Sequence, residues 1–584
     1  MRSERLRVAR TFVLYALPAR IAAVACALLV PAAAQASNVT EFPDNGSEPM
    51  ARGGAWVARA SDPLATAFNP AGLAGQPTRI TLQSGLVFEH TCFTRVKATS
   101  DTTNDPLVGS GVVYPRVCND VSPTINPQLG VTFRVNDRLG IGLLLTGPSS
   151  GGEKTFPDFV NDGTGTPQAA PGRYLLVQQA GVILFPTIGV GYEVGSGLRL
   201  GASFSWGFAR LKLTNANVSV NTDNTTPAAN DTRATLQVHD YFVPGFTVGG
   251  IYSVAPEIDV AGWYKWSDAI RARGDVGTAA NYYSKQNARG DDGKVGYGDS
   301  VYEDCGTGTD TKACGGGQNA TVKLAIPMEA KVGVRYHKRR AAPPSDRAPE
   351  DLSALTPSEL QSRAEDLKRQ RAAFESATHT RDPLATDVFD IEADLTWANN
   401  SSADTIEIRF PGDASGKGTL PVAGTGGELP PNTDQKRGLK DVFGVRVGGD
   451  YNVLPDQLAV RGGAFFESSA ASPALQNIDF MPTARFGLSL GGTYRFRFGQ
   501  GEKTRALELM LGLSHVFFAE QRRTDPNASG ALGIAGTSCN GSAPVPGTQT
   551  CEDGAARYRT KWPVNLGTIT SSINVINVGV AYRF

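Results

Sequence analysis

Leu198-Arg199-Leu200-Gly201-Ala202-Ser203-Phe204-Ser205-Trp206-Gly207-Phe208 is the stretch whose reading decides the fold. Leu198, Leu200, Ala202, Phe204, Trp206 and Phe208 fall on one side of a two-residue period, and Arg199, Gly201, Ser203, Ser205 and Gly207 on the other. Side chains of an extended chain point alternately to opposite faces, so this is a strand with one apolar face and one small or polar face. Phe389, Ile391, Ala393, Leu395 and Trp397 repeat the pattern, alternating with Asp390, Glu392, Asp394 and Thr396. Lipid does not tolerate an acidic face, whereas the lumen of a membrane barrel does.

Working outward, segments of this kind recur at 80–89, 128–135, 139–147, 183–194, 198–211, 241–254, 258–266, 322–336, 387–397, 442–453, 457–467, 484–497, 505–517 and 573–584. That is fourteen, an even number, as expected for an all-β antiparallel transmembrane barrel with both termini on the periplasmic side. Short turns at Asn136-Asp137, Gly195-Ser196-Gly197, Ala255-Pro256-Glu257 and Leu454-Pro455-Asp456 then share one side, and long loops share the other. The cysteines Cys92 and Cys118, Cys305 and Cys314, and Cys539 and Cys551 all fall in these outer loops as three candidate disulfides, with connectivity open. The chain ends on Ile576, Val578, Val580, Tyr582 and Phe584 in alternation, an outward aromatic terminus suited to the barrel-insertion machinery.

Residues 1–36 read as a secretory signal peptide. Arg2, Arg5, Arg7 and Arg10 precede an apolar stretch from Ile21 to Ala34, and Ala34-Gln35-Ala36 provides the small-x-small cleavage pattern. Without it, the balance of 56 basic and 56 acidic residues tips to a small acidic excess, which gives no reason to expect nucleic acid as a partner. No later run of 18 or more apolar residues suggests a membrane helix. Metal and cofactor sites are not expected, since no Cys-x-x-Cys occurs and the five His are far apart in sequence. An enzyme is not expected either. His515 lies in phase with the outward face of its strand, and no Gly-x-Ser-x-Gly elbow accompanies it.

One periplasmic connection, 337–386, is long and charged. Thr356 suits an N-cap, Pro357 the first helical position and Glu359 the return arm of a capping box, so the spacing predicts a helix to about Ala377 in a solvated insertion.

With these residues in place, the sequence resembles the outer-membrane long-chain fatty acid and aromatic hydrocarbon transporters of the FadL/TodX family. Arg52-Gly53-Gly54-Ala55-Trp56-Val57-Ala58-Arg59-Ala60-Ser61-Asp62 and Phe68-Asn69-Pro70-Ala71-Gly72-Leu73 resemble that family's N-terminal hatch. Gln128–Pro148, Pro186–Leu200, Gly444–Phe466 and Arg485–Arg497 resemble its strands. The resemblance implies a hatch over 37–78, a barrel over 79–584, and a third strand whose kink opens the wall sideways. Its ligands would be hydrophobic small molecules, passing from the outer face into outer-membrane lipid. Asn69, Pro70, Ala71, Arg52 and Trp56 become candidate hatch and gating residues. Arg199, Arg446, Arg461 and Arg485, inward by alternation, are candidate ligand contacts, although ion pairing with inward carboxylates is the more ordinary use of such residues. The loop from Ser149 to Gly172 lacks an evident apolar helix, so the outer groove is expected to differ from the family's. A non-selective porin and an adhesin or structural barrel remain the alternatives.

Overall fold

The computed structural model describes residues 45–99, 101, 105–148, 153–161, 167–217, 231–279, 283, 320–341, parts of 356–371, 381–409, 420–421, 428–429, 433–498, 505–527 and 563–584. The signal segment, the pairs Cys305/Cys314 and Cys539/Cys551, and much of the 337–386 insertion lie outside the described residues.

Fourteen strands form the wall. They are β1 (Arg79–Arg95), β2 (Thr124–Arg134), β3 (Leu139–Thr146), β4 (Gln178–Gly195), β5 (Leu198–Asn217), β6 (Thr232–Ala255), β7 (Ile258–Ser267) and β8 (Glu329–Arg339), then β9 (Asp387–Ala398), β10 (Val442–Leu454), β11 (Leu458–Glu467), β12 (Arg485–Phe498), β13 (Arg505–Phe518) and β14 (Gly567–Arg583). Each pairs antiparallel with its neighbour. The ring closes where β1 runs beside β14, from Arg79 opposite Arg583 to Arg95 opposite Gly567. Closure gives every wall strand a partner on both sides, which is what permits a sheet to sit in hydrocarbon.

Burial along each strand inverts that of a soluble protein. Leu82, Leu395 and Leu490 are 54%, 59% and 67% exposed, while the adjoining Gln83, Asp394 and Ser489 are 2%, 1% and 4% exposed. The apolar face therefore points to lipid and the polar face inward. Aromatic pairs mark both rims. Tyr582 and Phe584 (5.0 Å) and Tyr494 and Phe496 (4.7 Å) lie near the periplasmic ends of their strands, and Phe246 and Trp266 (5.5 Å) near the outer ends. His515 sits with Phe517 (4.1 Å) on the outer rim, its Nδ1 2.7 Å from Asn574 Oδ1.

The eighth predicted strand, 322–336, needs correction. Ala320–Leu324 and Glu329–Arg339 are separate strands, with Pro327 in the break between them, where a residue without N–H cannot continue a central ladder. Only the second belongs to the wall. The first joins a sheet beyond the membrane, in which the outer half of β6 pairs with Ile270–Ala279, followed by Ala320–Leu324, Thr405–Arg409 and Thr433–Lys436. β6 changes partner at a bulge between Asp240 and Val243, having paired with β7 up to Gly245. This outer sheet packs Leu236, Val238, Ile270, Val276, Val322 and Ile406 into a core of its own.

Candidate functional site

Every residue from Asn45 to Ala60 is buried, although this stretch contains little regular structure. It is held by charge. On β9 and β10 the inward alternation brings Asp390, Glu392, Asp394 and Asp450 onto one patch of wall, with Asp390 opposite Asp450 in register. Arg52 Nη1 lies 2.6 Å from both Asp390 and Asp450, and Nη2 lies 3.3 Å from Glu392. Arg59 pairs with the same two aspartates, and Arg335 and Arg461 approach from β8 and β11. Backbone amides complete the clamp. Trp56 and Val57 N–H donate to Asp394 Oδ2 (2.9 and 3.3 Å), and Ala58 and Arg59 N–H donate to Glu392 (2.6 and 3.2 Å). Asp390, Glu392 and Asp450 are thus paired with guanidinium groups and Asp394 Oδ2 with two amides, in a buried setting where an unpaired carboxylate would be costly. Trp56 Nε1 donates to Glu48 Oε1 (3.1 Å).

Glycines on the inner wall let the segment approach. A Cβ at Gly448 or Gly463 would overlap the backbone of Arg52, and one at Gly201 would overlap Pro70. Asn69, fully buried, accepts from Ala71 N–H (3.3 Å) and donates from Nδ2 to Val57 O (2.8 Å), with Pro70 opening the turn Pro70–Leu73. This is the local bonding for which Asn is suited before a Pro-initiated turn.

The candidate arginines have protein partners. Arg446 lies 2.7 Å from Glu467, which Arg485 also contacts; Arg461 lies 3.1 Å from Asp450, and Arg199 lies 3.8 Å from Asp259. Cys92 and Cys118 are disulfide-bonded across adjacent extended segments, their Cα atoms 4.0 Å apart. Sequence reasoning missed a second buried charge cluster outside the membrane. There Arg95 and Arg173 share Asp105 (3.4 and 2.8 Å), with Asp101 and Asp231 as further partners. Burial alone would lower the basicity of Arg173, but Asp105, Tyr174 and Asp231 outweigh it and hold the group well above its usual range.

Above the filled lumen, on the outer side, lies an apolar pocket of about 720 Å³ of empty space including its mouth. Ile183 and Phe185 of β4, Ile270 and Ile406 of the outer sheet, and Ile326 and Pro327 of the strand break contribute most of its character. Lys265 and Arg437 place cations in its wall. No single segment carries a signal for it, because its walls come from chain stretches hundreds of residues apart.

The wall itself changes beside this pocket. The β2–β3 ladder ends at Leu129 opposite Leu145, although β2 runs back to Thr124 along β1. The space beyond is bridged by side chains. Asn45 Nδ2 donates to Gly147 O (2.8 Å), and Asn126 and Gln128 donate to Asn45 Oδ1 (2.6 and 3.3 Å). Pro148, next along the chain, lines the pocket.

No family model matches the sequence, and no curated protein matches it. Among solved structures, a FadL homologue from Pseudomonas aeruginosa superposes with a TM-score of 0.57 at 15% identity, covering 94% of this chain and 100% of that one. The Pseudomonas putida toluene transporter TodX covers 94% and 99% at 12% identity with a TM-score of 0.49. The CymD monoaromatic hydrocarbon channel covers 92% and 97% at 13% identity with a TM-score of 0.48. The first likeness shows the fold: a closed antiparallel barrel built like that of the FadL homologue.

Proposed function

We propose that the barrel takes up hydrophobic small molecules by passive diffusion, with Asn45–Pro77 acting as a hatch and the ligand leaving through the wall between β2 and β3. The observation that carries this reading is the apolar pocket placed directly above a filled lumen and beside the early end of the β2–β3 ladder. A non-selective porin needs a clear aqueous path, and the clamped segment fills the region where that path would run. The wall route has a physical rationale. Returning an acyl chain of about ten methylenes to water would cost about 8 kcal/mol, whereas passage into lipid keeps it in hydrocarbon.

The ligand class follows the pocket. Aliphatic and aromatic walls suit long-chain fatty acids or small hydrocarbons, and the P. aeruginosa FadL homologue of the same fold supports that class. The test is uptake of a labelled long-chain fatty acid and of toluene by cells producing the protein, beside single-channel conductance. Ala403→Trp, which fills the pocket, is expected to cut uptake of the true ligand at least about tenfold. Cross-linking Asn126→Cys to Gly147→Cys is expected to stop uptake until the link is reduced; a Cβ at Gly147 would lie 3.8 Å from Asn126 Oδ1. Large steady conductance with neither ligand taken up would leave the porin reading instead.

A further inference from the structure

The pentapeptide Asp-Pro-Leu-Ala-Thr occurs twice, at residues 62–66 in the hatch and at 382–386 at the end of the periplasmic insertion. Both copies form one helical turn, Pro63–Thr66 and Pro383–Thr386, and both bury the Leu and Ala at its centre. The second copy is anchored around the periplasmic mouth. Arg381 pairs with Glu193 on β4, while the next residue, Asp382, pairs with Arg495 on β12 (2.6 Å) and with Arg583 on β14. β4 and β12 stand six places apart in a ring of fourteen, close to opposite each other. Pro383 O accepts from Asn452 Nδ2 of β10 (2.8 Å), Leu384 O from Asp456 N–H (3.0 Å), and Thr386 O from Arg340 N–H beside β8 (2.8 Å). Beneath it, a Cβ on Gly75 of the hatch would lie 3.1 Å from Arg381 Nε.

We propose that Arg381–Thr386 is a strap across the periplasmic mouth, a second plug that shuts the axial way out of the lumen behind the hatch, with Asp382 as its clasp. Each contact needs the strap to lie flat across the opening. Arg381 and Asp382 are sequence neighbours whose partners sit on opposite arcs of the wall, and a segment hanging into the periplasm satisfies neither. Asp382 is only 5% exposed, although it belongs to an insertion whose described helical positions are exposed. For the uptake path proposed above, the strap removes the periplasmic exit and leaves the wall.

The test uses the full chain with Ala74→Cys, a fully buried position beside Gly75, and reads its labelling by a membrane-impermeant maleimide supplied from the periplasmic side. With the strap intact, labelling is expected to be slow. With Asp382→Asn, or with Pro383–Thr386 replaced by Gly-Ser-Gly-Ser in case the first variant fails to insert, it is expected to rise about a hundredfold. Rapid labelling with the strap intact would overturn the proposal, as would equally slow labelling in a correctly inserted strap variant. Neither outcome depends on which ligand is carried or whether uptake occurs, so failure here is distinct from failure of the transport reading.

Discussion

Replacing Arg52 with Met tests whether charge seats the hatch. Arg52 meets Asp390, Asp450 and Glu392 at 2.6, 2.6 and 3.3 Å, and all four side chains are at most 1% exposed. Arg59, Arg335 and Arg461 remain to share the abandoned carboxylates, so the lower end of the range for breaking a buried ion pair applies, about 3 kcal/mol. That corresponds to about a hundredfold rise in the population of hatch released from β9 and β10. The wall keeps its closed ladders, so the effect is local unfolding and not loss of the barrel. Hydrogen exchange at the amides of Trp56, Val57, Ala58 and Arg59 reads it directly, since each donates to Asp394 or Glu392. Exchange about a hundredfold faster at these four positions is expected, with protection of the β9 and β10 ladders unchanged. Asp450→Asn added to Arg52→Met is expected to restore part of the protection by removing a stranded charge. Unaltered exchange at all four amides in Arg52→Met would refute the electrostatic clamp and assign seating to packing alone.

Gly463→Val puts a branched side chain where the Arg52 backbone rests, and is expected to unseat the hatch without breaking the wall, raising single-channel conductance while heat-resistant migration on gels persists. At Asp382, burial by itself would raise the carboxyl, but Arg495 and Arg583 outweigh it and hold the group far below its ordinary value. A depressed folded value means stabilisation that is complete above the unfolded aspartate pKa of about 3.9 and lost as pH falls further. Labelling of Ala74→Cys, taken relative to that of a free thiol at the same pH because only the thiolate reacts, is therefore expected to stay flat from neutral pH to about pH 5 and to rise only below about pH 4. In the insertion, Glu359 N–H donates to Thr356 Oγ1 (3.4 Å) and Thr356 N–H donates to Glu359 Oε2 (2.8 Å), so Thr356→Ala is expected to cost the helix about 1 kcal/mol, seen as reduced helicity with uptake unchanged.

The wall was legible because lipid imposes a rule that local sequence must obey. Leu82, Leu395 and Leu490 had to be apolar and their neighbours small or polar, so alternation exposed both the strands and their faces. It also showed that Arg461 and Asp450 turn inward. Alternation does not show who meets whom, because pairing depends on register and on the buried segment Asn45–Ala60 that meets the inner wall. Arg52 cannot be matched to Asp390 and Asp450, roughly 340 and 400 residues away, without the β9–β10 register. Outside the membrane the rule lapses. Ile270–Ala279 and Ala320–Leu324 bury their apolar face on one another and not on lipid, so they read as loop or merge with a wall strand, and the pocket they help to build left no trace.

The strap marks the other boundary of what local reading reaches. Its pentapeptide stands in plain sight twice, yet the charged insertion around it reads as solvated, and composition averaged over fifty residues hides a short segment in which Asp382, Leu384 and Ala385 are buried. A repeated segment that is apolar at its centre and opens with Asp-Pro was the available signal: Pro sets the start of a turn, and Asp at its head binds either the turn's own amides or a facing guanidinium. In the hatch it does the first, with Asp62 accepting from Leu64 N–H (2.7 Å), and in the strap the second. The same five residues thus serve one lumen twice, once as a self-capped turn packed inside it and once as a turn whose free carboxylate fastens it across the mouth.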